Sequence, residues 1–303
     1  MDSIILLFLC MILGIALQRV KAFPANSHTV LNLFVIYISL PALALFYIPK
    51  IEISTQLLFP LGIGWIGFLM AYLFFAGLGK YFGWSKKLIG CLVLTGGLGN
   101  TSFVGFPVIE ALYGKKGLET AIIVDQPGTF VVMATLGIIT ASLYSRGTPN
   151  HKEIVSKILF FPPFIAFFFA IIMNAFQYDF SDDFQSVFQR LGNTVTPISL
   201  VAVGLQLKID KKSRHWNFLA LGLFFKLMIT PLFFFIFYKL ILKGDGMEVD
   251  VSILESAMAP MITASILASS HGLKPKLSSM MIGFGIPISF ITLGIWYLIL
   301  LNF

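Results

Sequence analysis

Inside a long apolar run, from about residue 88 to 113, the chain reads Gly99-Asn100-Thr101-Ser102-Phe103-Val104-Gly105-Phe106-Pro107. This stretch disfavours an unbroken helix, because proline lacks a backbone N–H and glycine loosens the backbone. Lipid cannot hydrogen-bond the backbone groups that such a break frees, so the break must be buried in protein or line a cavity. A second apolar run, 251–271, is interrupted at Pro260. Paired interruptions in the two halves of a chain indicate the binding site of a secondary transporter.

The composition of the chain is that of an integral membrane protein. Of its 303 residues, 57% are hydrophobic and 12% are charged, whereas soluble domains carry about twice that charged fraction. The mean hydropathy is +0.91. Apolar runs near the ~20 residues that a helix needs to cross the hydrocarbon core recur along the whole length. We predict ten transmembrane helices, at about residues 3–20, 28–48, 57–80, 88–113, 118–144, 153–176, 184–207, 216–242, 251–271 and 277–302.

The Lys and Arg residues are distributed unevenly between the loops that join these spans. The odd-numbered loops carry 14 of them and the even-numbered loops carry six, while Lys226 lies inside a span. Because cytoplasmic loops are enriched in positive charge, we expect the odd loops in the cytoplasm and both termini on the extracytoplasmic side of the plasma or inner cell membrane. The net charge of +7 is therefore a topology signal, and we expect the lipid bilayer, not nucleic acid, as a partner.

Proline positions indicate an internal repeat. Pro41 and Pro197 lie in the second and seventh spans, and Pro127 and Pro287 lie in the fifth and tenth. Since each half has an odd number of spans, the two halves would have opposite orientations in the membrane, which is an inverted-topology repeat. The alternative is ten unrelated spans whose prolines agree by chance, because proline is common in membrane helices. We place the two halves at residues 1–147 and 148–303.

The interrupted fourth span predicts a binding site for an anion. If its helix stops near Gly99 and restarts near Gly105, the restarting half presents free backbone N–H groups and the ~+0.5 charge of a helix N-terminus. The break in the ninth span offers a second such point. The alternative is that the polar residues only satisfy the broken backbone. The predicted substrate-binding residues are Asn100, Thr101, Ser102, Gly105, Pro107, Pro260, Thr263 and Ser265.

Three ionisable residues lie deep within predicted spans. Asp125 is in the fifth span and is followed by Gln126, while Lys226 is in the eighth and Glu255 in the ninth. A charge at the bilayer centre costs ~2.5–3.5 kcal/mol on insertion scales, so such residues usually face the protein interior. We therefore predict that these four residues couple transport to Na⁺ or H⁺, with an acid binding the ion and Lys226 as counter-ion to an acid or to the substrate. A structural ion pair is the alternative.

No sequence feature predicts catalysis or a resident cofactor. The four histidines and two cysteines have no metal-ligand spacing, and we find no catalytic or phosphate-binding motif. We therefore expect neither an enzyme nor a metalloprotein. Glu110, near a span end beside Lys115, is expected to be solvated.

The interrupted fourth span also carries a family resemblance. Its motif N-[ST]-x-x-x-G-x-P, from Asn100 to Pro107, resembles the crossover of the auxin efflux carrier family, which includes plant auxin exporters and bacterial permeases for dicarboxylates such as malate and malonate. The similarity extends to the ten-span layout and to residues 268–275. The auxin exporters have a second proline where this chain has Ala264, and many have a long cytoplasmic loop that is missing here. The resemblance therefore favours an organic anion other than auxin.

The resemblance implies a fold like that of bile-acid symporters and sodium/proton antiporters. In that fold, spans 1, 2, 6 and 7 form a panel that supports a mobile core of spans 3–5 and 8–10, with the fourth and ninth helices broken and crossed. Family members related to the auxin exporters resemble homodimers joined through the panel, so the resemblance implies a homodimer here.

Together these observations predict an all-α polytopic membrane protein. Its predicted function is secondary active or facilitative transport of a small organic anion, a carboxylate, by alternating access, with symport of Na⁺ or H⁺ where uptake is required. Two alternatives stay open, a cation/proton antiporter on the same fold and a membrane sensor or scaffold that does not transport.

Overall fold

The computed structural model describes residues 2–24, 26–51, 55–145, 156, 159, 160, 162–206 and 215–303, and this part of the chain is helical. Two π-helical segments, Val124–Phe130 and Met133–Gly137, lie between α5 and α6. The main helices are α1 (Asp2–Leu17), α2 (Ser27–Lys50), α3 (Leu58–Tyr81), α4 (Lys86–Gly97), α5 (Phe106–Ile123, with a non-helical kink at Gly114), α6 (Ile138–Tyr144), α7 (Pro162–Ala175), α8 (Asp182–Gly192), α9 (Val195–Gln206), α10 (Trp216–Ile241), α11 (Met247–Ser256), α12 (Ile262–Ser270) and α13 (Pro275–Leu301).

Several of these helices can cross a bilayer by length and composition. In the described part of the chain, five segments meet both criteria: Ser27–Lys50, Leu58–Tyr81, Thr101–Tyr144, Trp216–Ile241 and Pro275–Leu301. Shorter apolar helices occupy Phe8–Leu17 and Pro162–Ala175. The all-α class is therefore confirmed for the described residues, while the count of ten spans and the inverted repeat stay predictions.

Two predicted spans differ from the observed helices. The seventh, predicted at 184–207, is divided into α8 and α9 by a turn at Asn193 and Thr194. The composition of α8 differs from that of an apolar span, because it has acidic residues in its first turn and a basic residue in its last turn. For the sixth span, predicted at 153–176, the structure describes a continuous helix that begins at Pro162. The boundary at residues 147 and 148 and these basic loop residues lie outside the described part: Arg146, Lys152, Lys157, Lys208, Lys211, Lys212 and Arg214.

The first of two compact units contains Met1–Thr55, Ser102–Ile122 and Ser156–Leu207. In it, α1 and α9 pack backbone to backbone at two glycines. A Cβ atom on Gly14 would overlap the carbonyl oxygen of Val201 and lie 2.8 Å from Gly204 Cα. Small residues allow this close approach, which is typical of helix pairs in membranes.

A single amide also fixes the end of α2 in the first unit. The Asn174 Nδ2 group donates to the carbonyl oxygens of Ile48, Pro49 and Ile51 at 3.0, 3.0 and 2.8 Å. The last carbonyls of a helix lack partners within the helix, so Asn174 supplies donors that the helix itself cannot.

The second unit contains Gln56–Thr101, Ile123–Val155 and Lys208–Phe303. Its π-helical segment around Pro127 packs against α3, where a Cβ atom on Gly64 would lie 2.5 Å from the carbonyl carbon of Gly128. The Trp65 indole N–H donates to the Pro127 carbonyl oxygen at 3.1 Å. This bond satisfies a carbonyl group of irregular backbone, which lipid could not do.

The fourth predicted span is interrupted at a slightly different place than expected. The helix α4 ends at Gly97, and helical structure resumes at Thr101 as a π-helical turn that leads into α5. The interruption is thus earlier and shorter than the predicted one between Gly99 and Gly105. Pro107 does not cause it, because Pro107 lies inside the helical stretch that begins at Thr101, directly after the π-helical turn, and a local π-helical adjustment accommodates a missing N–H.

Candidate functional site

The two interrupted spans cross within the second unit. The backbone N–H of Asn100 donates to the Ala259 carbonyl at 2.7 Å, and that of Met261 donates to the Leu98 carbonyl at 2.9 Å. These reciprocal bonds satisfy backbone groups that the two breaks expose. Irregular backbone at membrane depth is tolerated where it is buried in this way.

Gly99 and Pro260 lie opposite each other in the crossing as an isolated antiparallel bridge. The donors of the bridge come from their neighbours, so the missing N–H of Pro260 costs no hydrogen bond there. A Cβ atom on Gly99 would lie 3.0 Å from the Nζ atom of Lys226. Through this bridge Pro260, which marks the second break in the sequence, directly contacts the first break at Gly99.

Three helix ends lie beside the crossing in the second unit. Both α4 and α11 end there, at Gly97 and Ser256, and α12 begins there at Ile262. A helix carries about half a negative charge at its C-terminus and about half a positive charge at its N-terminus. The residue before α12, Met261, gives no side-chain hydrogen bond to the helix start, so the first N–H groups of α12 have no side-chain cap.

The buried ammonium of Lys226 lies at the negative helix ends. Its Nζ donates to the Ser256 carbonyl at 2.8 Å, and the residue is 3% exposed. A cation at a helix C-terminus is stabilising. The prediction made Lys226 a counter-ion to an acid or to the substrate, whereas the observed hydrogen-bond partner is the last carbonyl of α11.

Asp125, in the π-helical segment Val124–Phe130, contacts Thr101, the first residue of the helical turn that follows the first break. Its Oδ1 accepts from Thr101 Oγ1 at 2.7 Å and its Oδ2 accepts from Gln126 Nε2 at 2.8 Å, and all three residues are buried. A carboxylate near a helix N-terminus is stabilised by the helix dipole and by such hydrogen bonds. Three residues predicted as candidates from separate arguments are thus joined by direct contacts.

Glu255 is the exception among the buried charged groups of the site. It is 0% exposed, and neither carboxyl oxygen has a hydrogen-bond partner among the described residues. The charges that act on it are those of Asp125 and Lys226. The Oε1 atom of Gln126 also has no hydrogen-bond partner in the described part of the chain.

The predicted substrate-binding residues of the ninth span differ in their surroundings. Ser265 is engaged with Ser278 of α13, because the two hydroxyls lie 2.7 Å apart and each donates to the other's backbone carbonyl at 2.9–3.0 Å. Thr263, in the first turn of α12, is partly exposed. Its hydroxyl makes no hydrogen bond to any described residue, whereas the hydroxyl of Ser265 is occupied by Ser278.

The remaining predicted residues of the fourth span are buried. Asn100 lies in the crossing itself, while Ser102, Gly105 and Pro107 follow it along the chain. The last three belong to the first compact unit by packing. Their part in binding a substrate stays a prediction.

Sequence reasoning missed several partners of these residues. Ser256 and Ser278 carry no sequence signal that sets them apart from other serines in apolar helices. Glu110, which was expected to be solvated, is partly buried and accepts a hydrogen bond from Thr196 Oγ1 at 3.1 Å in the first unit.

A cavity of about 530 Å³ in the first unit, lined by residues that include Lys50 and Asn174, contains none of the predicted site residues.

Comparisons with known proteins agree with the membrane assignment. A family model described as "Membrane transport protein" matches residues 1–297. An uncharacterized transporter of Methanocaldococcus jannaschii is 28% identical over 315 aligned residues, which cover 100% of this chain and 99% of the relative. An uncharacterized transporter of Methanothermobacter thermautotrophicus is 26% identical over 307 residues, which cover 99% of this chain and 98% of the relative.

Proposed function

The chain belongs to the membrane transport protein family, which is the auxin efflux carrier family that its crossover motif resembles, and on that premise we propose that it carries a small organic anion, a carboxylate. It is an integral membrane protein of a transporter family and not an enzyme. In the proposed mechanism the anion binds at the crossing of the two broken spans, near the middle of the bilayer. It then crosses by alternating access, as is typical of secondary transporters with broken helices.

The observation that carries the proposal is the start of α12. This helix begins beside the crossing without a side-chain cap, and Thr263 in its first turn is partly exposed. Backbone N–H groups at a helix start, together with the positive end of its dipole, bind carboxylates and phosphates. We propose that the carboxylate accepts hydrogen bonds from these N–H groups and from Thr263, with Asn100 beside them.

The other helix ends at the crossing favour an anion at α12 in particular. The hydroxyl of Thr101 already donates to Asp125, so that helix start is balanced by a carboxylate of the protein itself. The ends of α4 and α11 lie next to Lys226. Among the helix ends at the crossing, the start of α12 differs from the others. No charged side chain of the described residues is bonded to it.

The energetics of transport constrain how such a carrier works. A monovalent anion that leaves a negative-inside cell gains ~2.3 kcal/mol per 100 mV. Export can therefore be facilitative, whereas uptake needs a coupled cation and hence symport.

The larger architecture of the proposal follows the family resemblance. We propose inverted repeats at 1–147 and 148–303, a panel of spans 1, 2, 6 and 7, and a core of spans 3–5 and 8–10. We further propose a homodimer joined through the panel, in the plasma or inner cell membrane, with both termini extracytoplasmic as the loop charges predict.

A cation/proton antiporter is the second candidate, and the observation that favours it is the buried pair Asp125 and Glu255 at the crossing. In that case the acids would form the main site. A sensor or scaffold would bind a ligand without moving it across the membrane. A flux measurement therefore distinguishes it from the anion carrier and from the antiporter.

Ligand-induced thermal stabilisation tests the proposed function. The purified protein is heated with a panel of mono- and dicarboxylates at several pH values, with and without Na⁺. We expect at least one carboxylate to raise the melting temperature, with the rise lost in Asn100→Ala and Thr263→Val and kept in Asn302→Ala, a control at the exposed C-terminus.

Proteoliposomes loaded with the stabilising carboxylate then test transport. Flux of the anion supports the carrier, whereas binding without flux supports a sensor. Stabilisation by cations alone, with no carboxylate effect, would reject the anion site in favour of the antiporter.

A further inference from the structure

Glu255 occupies a position that disfavours a negative charge. It is the second-last residue of α11, and the C-terminal turn of a helix carries the negative end of the dipole. Its carboxyl group is fully buried and lacks a hydrogen-bond donor among the described residues. An ionised carboxylate in such surroundings is costly, so the neutral acid is the favoured form.

Asp125 has the opposite environment. It accepts two hydrogen bonds, from Thr101 and Gln126, beside a helix start. These bonds stabilise the carboxylate form. If both acids were ionised, the buried side chains of Asp125, Glu255 and Lys226 would together carry a net charge of −1. With a proton on Glu255 the three side chains are neutral overall.

The charged residues on the surrounding helices do not change this balance. The helices that pack most extensively against α11 are α3, α10 and α13. Lys80 of α3 and Lys276 of α13 are exposed, and Lys239 of α10 pairs with Asp250 at 2.9 Å. Besides Glu255 itself and Asp250, α11 carries one more charged residue, Glu248 in its first turn. The charges that act on Glu255 are those of Asp125 from the π-helical segment and Lys226 from α10.

We infer that Glu255 binds the proton that accompanies the anion, one proton for each anion bound. The inference rests on the proposed anion site at the start of α12. In this scheme Glu255–COOH forms by uptake of a proton from water before or with the anion, and it returns the proton to water on the side where the anion leaves. No bond other than the O–H bond forms or breaks.

The physical basis of the coupling is electrostatic. Glu255 and the start of α12 lie on the two sides of the same break, so a bound carboxylate and an ionised Glu255 would repel each other in a poorly solvated site. Protonation of Glu255 therefore strengthens anion binding, and by reciprocity the anion strengthens proton binding.

A proton fits this position better than Na⁺. A hard cation is held by several oxygen ligands at once, and both oxygens of Asp125 are already occupied by hydrogen bonds. The positive charge of Lys226, which acts on Glu255, also opposes a second cation. Within the described residues, no group of three or more His, Cys, Asp or Glu side chains is arranged to hold a metal ion.

Infrared spectroscopy tests the protonation without any ligand. We expect the wild-type protein at about pH 7, where a carboxyl group in water is ionised, to show the C=O stretching band of a protonated carboxylic acid. The band should vanish in Glu255→Gln, persist in Asp125→Asn, and persist in Glu248→Gln, a matched control in the first turn of the same helix. If Glu255→Gln does not fold, wild-type protein with ¹³C-labelled glutamate carboxyl groups replaces it, since the label must shift the band. A missing band, or one that disappears in Asp125→Asn instead, would overturn the inference.

The pH dependence of anion binding tests the coupling. The probes are acetate and succinate, together with the most stabilising acid of the carboxylate panel, between about pH 6 and pH 9, where simple carboxylates are ionised. With one linked proton, affinity falls by up to about tenfold per pH unit above the titration of Glu255. The slope should disappear in Glu255→Gln and stay in Glu248→Gln.

The two failures are distinguishable. If no carboxylate stabilises the protein at any pH, the proposed function fails and the infrared band alone decides whether Glu255 holds a proton. If a carboxylate binds with the same affinity across the pH range, or its binding follows Na⁺ concentration instead of pH, the anion site stands and the inferred proton coupling is wrong.

Discussion

The ammonium of Lys226 donates to the backbone carbonyl of Ser256 across a buried 2.8 Å hydrogen bond. A lysine of the eighth predicted span thus hydrogen-bonds to the last residue of α11, which is the first half of the ninth predicted span. Its position also explains Gly99, because a Cβ atom there would lie 3.0 Å from the same nitrogen. One cation therefore contacts both breaks of the crossing, and removing it should affect the whole site.

Replacing Lys226 by Met should destabilise the protein strongly. The change leaves the buried Ser256 carbonyl without its donor, which typically costs about 1–3 kcal/mol, and it removes the cation that offsets the charge of Asp125. Thermal unfolding in detergent measures the effect, with Lys243→Met at an exposed loop residue as the control. Equal melting temperatures of the two variants would contradict the assignment.

The double variant Lys226→Met/Glu255→Gln separates two charge states of Glu255. If Glu255 is neutral, as inferred, adding Glu255→Gln to Lys226→Met should change stability little. If Glu255 carries the charge that balances Lys226, the second substitution should restore much of the lost stability, because it removes an uncompensated charge. A double-mutant cycle of melting temperatures gives the answer.

Ser265 and Ser278 should be energetically coupled and should not contribute to anion binding. Each hydroxyl donates to the other residue's carbonyl, so Ser265→Ala and Ser278→Ala should each cost about 1 kcal/mol and the double variant less than the sum. The carboxylate-induced thermal shift should persist in Ser265→Ala and be lost in Thr263→Val. A lost shift in Ser265→Ala would instead return Ser265 to the binding site.

Gly14→Ala should disrupt the packing of α1 on α9. The new Cβ would overlap the Val201 carbonyl oxygen, and backbone cannot move aside as a flexible side chain can, so a loss of about 1–3 kcal/mol is expected. Gly77→Ala in α3 is the control, because a Cβ atom there meets nothing within 4 Å. Size-exclusion profiles and melting temperatures should separate the two variants, and matching profiles would argue against the glycine contact.

Trp65→Phe should lower stability by about 1 kcal/mol through the loss of one hydrogen bond. The phenyl ring keeps part of the indole's packing, but the Pro127 carbonyl loses the donor that lies 3.1 Å away. Trp216→Phe is a matched control, since Trp216 is similarly exposed and its indole N–H has no hydrogen-bond partner among the described residues. If both substitutions cost the same, the indole bond is not what stabilises the Pro127 turn.

The positions of the helix breaks were partly predictable. Polar residues, glycines and prolines in an apolar run point to interrupted helices near Asn100 and Pro260, and the helices do break at both places. The limits of the first break were predicted less well. The predicted break ran from Gly99 to Gly105, but helical structure already resumes at Thr101, and its π-helical turn accommodates the missing N–H of Pro107.

The pairing of side chains was not predictable from the sequence. Asp125, Glu255 and Lys226 stood out because charges are rare in apolar spans, and that signal concerns burial only. It contained no information on which acid is hydrogen-bonded and which is not. The same holds for Ser265, whose partner Ser278 lies on another helix, and for Glu110, whose partner Thr196 is 86 positions away.

The sequence by itself determined that this protein lies in the membrane, that it belongs to a transporter family, and where its helices are interrupted. Those properties follow from hydropathy, motif and backbone chemistry, which act locally along the chain. Only the tertiary structure decided that Asp125 is bonded, that Lys226 holds the end of α11, and that Glu255 is left without a hydrogen-bond donor. Such differences depend on which backbone and side-chain groups meet once distant helices pack, and no local pattern records them.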